Sequence, residues 1–92
     1  MRVALAERVQ ADVAGLAAAE RVAVFETLLA LPKAMGQAHR HAGLGVRKLH
    51  TSGIWEARVG LGLRMVFTLA NEMLTLVRVG THDEIRRYLK SL

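Results

Sequence analysis

Lys48, Glu56, Arg58, Arg64, Arg78, His82 and Tyr88 all lie in the second half of a 92-residue chain, and the cations among them are set into apolar, strand-like runs. A charge in a half-buried strand loses hydration unless a partner or ligand compensates it, so such charges are candidates for function as well as solubility. The residue types suit phosphodiester chemistry. Cleaving RNA without a metal requires a base for the 2′-hydroxyl proton, cations for the charge that builds on the phosphate, and an acid for the leaving 5′ oxygen. Glu56 or His82 can serve as base, and His82, an arginine or Tyr88 can donate. Arginine matches phosphate oxygens well because its planar fork binds them bidentately. The competing reading of the same residues is a solvated basic sheet face on which Glu56 and Arg58 neutralise each other.

The elements that must position these groups follow from hydrophobic period and turn residues. Arg2 to Leu5 reads as a short opening strand, and from Glu7 the positions Val9, Val13 and Leu16 recur at helical spacing, with an end near Gly15. A second amphipathic helix begins after Ala17, with Val22, Phe25 and Leu29 on one stripe and Leu28 beside it. Pro32 is expected to stop that helix, and the run from Pro32 to Gly45 has the composition of a surface loop. Beyond Gly45 the period falls to two. Arg47 and Lys48 lie in a strand that turns near Gly53. Trp55, Ala57 and Val59 then alternate with Ile54, Glu56 and Arg58, so one face is apolar and the other carries the carboxylate and guanidinium. After a turn at Gly60 and Gly62, Met65, Phe67 and Leu69 alternate with Arg64, Val66 and Thr68. Asn71 and Glu72 form a hairpin connection to a strand from Met73 to Val79. Thr81 or Asp83 caps a final helix with Ile85, Tyr88, Leu89 and Leu92 on one side and Arg86, Arg87 and Lys90 on the other. Helices followed by strands indicate an α+β domain covering residues 1–92: two N-terminal helices on a twisted sheet of about four antiparallel strands, with a short C-terminal helix. The alternation points Trp55 toward the apolar face, as a core residue.

Composition bounds the partners. The net charge of +5 makes a polyanion the natural ligand class. Glu7, Arg8, Asp12, Glu20 and Arg21 interrupt the Ala-rich N-terminal segment, so no run approaches the roughly 20 apolar residues of a membrane span. The chain contains no cysteine, which excludes disulfides and thiolate metal sites and fits a reducing cytoplasm. His39, His41, His50 and His82 lack a zinc-like spacing with other ligands, so no metal site is expected. Neither GLGVRK nor VGLGLR leads into a helix with a phosphate-binding Lys followed by Ser or Thr, so no nucleotide cofactor is expected either. Ser52 and Ser91 have no nucleophile-elbow context.

The segments GLGVRKL, GIWEARVG, LRMVF and LTLVRVGTHDEIRRYL, in this order and spacing, resemble the RelE/ParE superfamily of type II toxin–antitoxin toxins. The resemblance implies helices on one sheet face and an active concave surface on the other. It implies either a RelE-like endoribonuclease that cuts mRNA on the ribosome through dispersed basic residues, or a ParE-like inhibitor of DNA gyrase or a silent protein-binding member. A cognate antitoxin is the implied protein partner. Arg64 matches the arginine that opens the LRMVF strand, and Arg58 a basic position on the strand before it. His82 falls where related nucleases carry His or Arg, and Tyr88 near a functional tyrosine. Arg58, Arg64, His82, Glu56 and Tyr88 are thus the expected catalytic set, and Lys48, Arg47 and Arg78 the expected RNA contacts. Glu56 departs from the pattern, because RelE-like toxins tend to be basic there.

Overall fold

A computed structural model describes residues 1–37, 41–50 and 53–92, and of His41, Ala42 and His50 the backbone alone. The elements are β1 (Arg2–Leu5), α1 (Glu7–Ala14), α2 (Ala18–Met35), the single turn α3 (His41–Leu44), β2 (Arg47–His50), β3 (Ile54–Val59), β4 (Leu63–Ala70), β5 (Met73–Thr81) and α4 (His82–Lys90). The expected α+β architecture is present, with one addition to the sheet. Its order is β1-β5-β4-β3-β2, so the opening strand is a full member that pairs parallel to β5 while all other pairs are antiparallel.

The sheet has an apolar face and a polar one. Ala57, Val59, Met65, Phe67, Leu74, Leu76 and Val79 join Val9 of α1 and Val24, Leu28 and Leu31 of α2 in the core. Trp55 stacks on Phe67 with ring centroids 6.4 Å apart, in keeping with its expected core position. The other face carries Glu56, Arg58, Arg64 and Val66 by strand alternation. Asn71 and Glu72, at φ 53° and 57°, close β4 onto β5 through the left-handed backbone that a two-residue hairpin of this type requires.

Two expectations for α2 are overturned. Pro32 lies inside the helix, which runs on to Met35. Proline takes its own N–H out of the ladder and crowds the carbonyl four residues back, and the burial of Leu31 and Ala34 beside it offsets that cost and holds the last turn together. The buried stripe is also the other one. Val24, Leu28 and Leu31 face the core, whereas Val22, Phe25 and Leu29 are 58%, 40% and 76% exposed. Apolar residues occur on every side of α2, so its period does not single out a buried face. The helix also extends four residues, Pro32 to Met35, into the run expected to be a loop, and α3 adds a further turn beyond it. Residues 38–40, which include His39, lie outside the described residues.

β5 contains a bulge. Val66 pairs with Arg78 while the next residue, Phe67, pairs with Leu76, so Val77 is an extra residue in β5. Leu76 and Val79 therefore share the core face, and Arg78 turns to the polar face with Val66. At the end of β5, Thr81 caps α4: its hydroxyl accepts from the Glu84 N–H at 3.2 Å, and its own N–H donates to Glu84 Oε1 at 2.8 Å. Ile85 is buried, and Arg86, Arg87 and Lys90 are exposed as expected, but Leu92 lies beyond the helix and is 67% exposed. Among the described residues no helix is long and apolar enough to cross a membrane.

Candidate active site

The polar face narrows to a cleft of about 320 Å³ lined by Gly45, Arg47, Glu56, Arg58, Arg64 and His82. Register explains the grouping. Arg47 pairs with Glu56 across β2 and β3, and Arg58 pairs with Arg64 across β3 and β4. Arg64 is itself paired with Gly80 of β5, two residues before His82, so the start of α4 is brought to the same end of the sheet.

Glu56 is buried at 6% exposure and holds two of the arginines. Its Oε1 lies 3.1 Å from Arg64 Nε and its Oε2 lies 3.6 Å from Arg47 Nη2. Arg64 also donates from Nη1 to the Leu63 carbonyl at 3.1 Å, which fixes the plane of its guanidinium. Glu56 and Arg58 are two apart on one strand, yet the carboxylate does not neutralise Arg58. Arg58 is exposed and has no hydrogen-bond or ion-pair partner among the described residues. It stands directly opposite Arg64, an arrangement of like charges that is unfavourable until an anion is present.

Gly45 makes room for Arg58. Its φ of +62° is a conformation suited to glycine, and a Cβ there would collide with the Arg58 side chain. The guanidinium thus lies across bare backbone at the start of the β2 segment. With three arginines against one carboxylate, and an exposed imidazole at the rim, the cleft can bind a phosphate bidentately and transfer a proton beside it.

Five expected residues therefore come together: Arg47, Glu56, Arg58, Arg64 and His82. Lys48 lies on the opposite face of β2, paired with Trp55, with Nζ 5.8 Å from the Trp55 ring centroid. Arg78 and Tyr88 form a separate stack, the guanidinium carbon 5.1 Å from the ring centroid. Arg78 Nε donates to Asp12 Oδ2 at 3.0 Å, as does the Val79 N–H. Asp12 and Gly45 escaped the sequence reading. A lone acid in an amphipathic helix has no distinguishing signal, whereas Gly45 had a weak one, a glycine immediately before a basic strand. Among the described residues no three His, Cys, Asp or Glu side chains gather as a metal site would need. The side chains of His41 and His50 lie outside the description, as does His39.

No protein-family model matches the chain, and no curated protein matches its sequence. Solved structures do match its fold. RelE in the archaeal RelE–RelB complex from Pyrococcus horikoshii OT3 superposes with a TM-score of 0.68 at 16% identity, covering 87% of this chain and 92% of that chain. The RelB–RelE antitoxin–toxin complex from Methanococcus jannaschii gives a TM-score of 0.68 at 15% identity, with 92% and 96% covered. YafQ from E. coli strain BL21(DE3) gives 0.64 at 20% identity, with 92% and 98% covered. The chain has the fold of the RelE-like toxins.

Proposed function

We propose that this chain is the toxin of a type II toxin–antitoxin system and acts as a ribosome-dependent mRNA endoribonuclease in the cytoplasm. The observation that carries the reading is the opposition of Arg58 and Arg64, in which Glu56 compensates Arg64 and leaves Arg58 open to an anion. Two guanidiniums held on adjacent strands form a fork for a phosphodiester. As the 2′-oxygen bonds to phosphorus and the 5′-oxygen leaves, the added charge on the phosphoryl oxygens falls between Arg58 and Arg64. His82, in the same cleft, gives a proton to the leaving 5′ oxygen, and the 2′-hydroxyl proton passes to water. Arg47 binds a neighbouring phosphate. Glu56, with both oxygens engaged by arginine, sets the angle of Arg64 rather than receiving the substrate proton.

Fold likeness to structures of toxin–antitoxin complexes supports an antitoxin partner. The cationic cleft suits an acidic segment that folds across it and blocks RNA. The test is induction of the chain alone, followed by mapping of mRNA ends. Codon-phased cuts that disappear with Arg64→Ala and with His82→Ala are expected. Intact transcripts with DNA damage would assign the chain to gyrase inhibition instead.

A further inference from the structure

Asp12 belongs to the N-terminal helix, far in sequence from every cleft residue, yet its carboxylate is a junction of the fold. The side chain is only 6% exposed. Oδ2 accepts from Arg78 Nε and from the Val79 N–H, each at 3.0 Å, and Oδ1 accepts from Arg8 Nε at 3.3 Å. The Val79 bond has a backbone reason. β1 pairs with β5 only from Met73 to Leu76, so past Leu76 the edge of β5 needs another acceptor, and Asp12 supplies it.

The same carboxylate fixes the Arg78 guanidinium, whose central carbon lies over the Tyr88 ring in the second half of α4. α4 begins at His82, and its middle is anchored by buried Ile85. We propose that Asp12 is a positioning residue: through Arg78 and Tyr88 it fixes the direction of α4, and with it the place of the His82 imidazole over the Arg58–Arg64 fork. Arg78 is then a strut rather than an RNA contact. The consequence for cleavage rests on the nuclease reading above, whereas the hold on α4 does not.

The test compares the wild-type chain with Asp12→Asn and Asp12→Ala by hydrogen exchange of the α4 amides and by single-turnover cleavage. Asparagine retains an oxygen for the Val79 N–H but withdraws the charge that holds Arg78. Faster exchange from Ile85 to Lys90 is expected in both variants. The cleavage rate is expected to fall by about 10- to 100-fold with KM unchanged, the usual result of a misplaced reacting group. In a His82→Ala background the Asp12→Asn change is expected to add nothing. Asp12→Glu, which keeps the charge, is expected to recover part of the rate. Unchanged α4 exchange in both variants overturns the proposal, and so does a full additional loss in the His82→Ala background. If the wild-type chain cleaves no RNA, the nuclease reading fails and the exchange data alone decide whether Asp12 holds α4.

Discussion

Arg58 and Arg64 stand directly opposite each other across the β3–β4 ladder. Like charges in that position destabilise a sheet by roughly 0.2–1 kcal/mol, less where water screens them. Glu56 relieves Arg64 alone. Removing Arg58 should therefore separate function from stability: Arg58→Ala is expected to unfold in urea at the same or a slightly higher midpoint, while cleavage falls by about 10² to 10³. A variant that loses stability and keeps its activity would show that Arg58 is a packing residue.

Arg64 should behave differently. Arg64→Ala leaves the buried Glu56 carboxylate with the more distant Arg47, and stripping one partner from a buried ion pair costs about 3–5 kcal/mol, less where a second cation remains. Urea melts should show that loss in Arg64→Ala, and a smaller loss in the double variant Arg64→Ala/Glu56→Ala, in which no carboxylate is left behind.

The role given to Glu56 has its own signature in pH dependence. Glu56→Gln is expected to lower the cleavage rate about tenfold by loosening the arginine plane, as when a second group that orients a reacting one is lost. The shape of the rate–pH profile should not change. Disappearance of the acidic limb in Glu56→Gln would instead make Glu56 the base.

Gly45 sets the space for Arg58. Gly45→Ala puts a Cβ onto the Arg58 side chain and forces a non-glycine residue to φ +62°, at a cost of about 1–2 kcal/mol. The expected outcome is loss of RNA binding with the sheet core intact, read by RNA titration alongside near-ultraviolet circular dichroism of Trp55.

The cap of α4 gives a pH-dependent stability term. The Thr81 N–H that donates to Glu84, assisted by the Thr81 hydroxyl, holds the Glu84 carboxyl below the usual carboxylate range. A lowered folded-state value means stabilisation that is present above the unfolded value of about 4.3 and lost as pH falls through the folded value. Thr81→Ala is expected to cost about 1 kcal/mol at neutral pH. The pH-dependent part belongs to the carboxylate: Glu84→Gln is expected to lower stability at neutral pH, and its deficit should shrink as pH falls through the folded-state value, where the wild-type carboxyl is also neutral.

Much of the site is legible from period two alone. Alternation from Trp55 to Val59 and from Arg64 to Leu69 places Glu56, Arg58 and Arg64 on one face, because nothing interrupts β3 or its pairing with β4. β5 is harder. Counted by twos from Leu74, Arg78 falls on the core face with Leu76, and only the bulge at Val77 turns it outward. The edge position of β1 and the true buried stripe of α2 are set by packing, to which local pattern is blind when both faces of a helix are apolar. The Glu56–Arg64 pairing depends on a diagonal between strands, so residue types alone left Arg58 as an equal partner for the carboxylate. Asp12 is silent in sequence because its meaning comes from where β1 ends.

The most direct measurement is cleavage of a defined mRNA on programmed ribosomes by the purified chain, compared with Arg58→Ala, Arg64→Ala and His82→Ala, with fragment ends mapped to the codon. Cuts at a fixed position in the codon by the wild type, reduced at least 10²-fold in each variant, are the expected result. Intact mRNA with the wild type, or equal cleavage by all four proteins, would contradict the account.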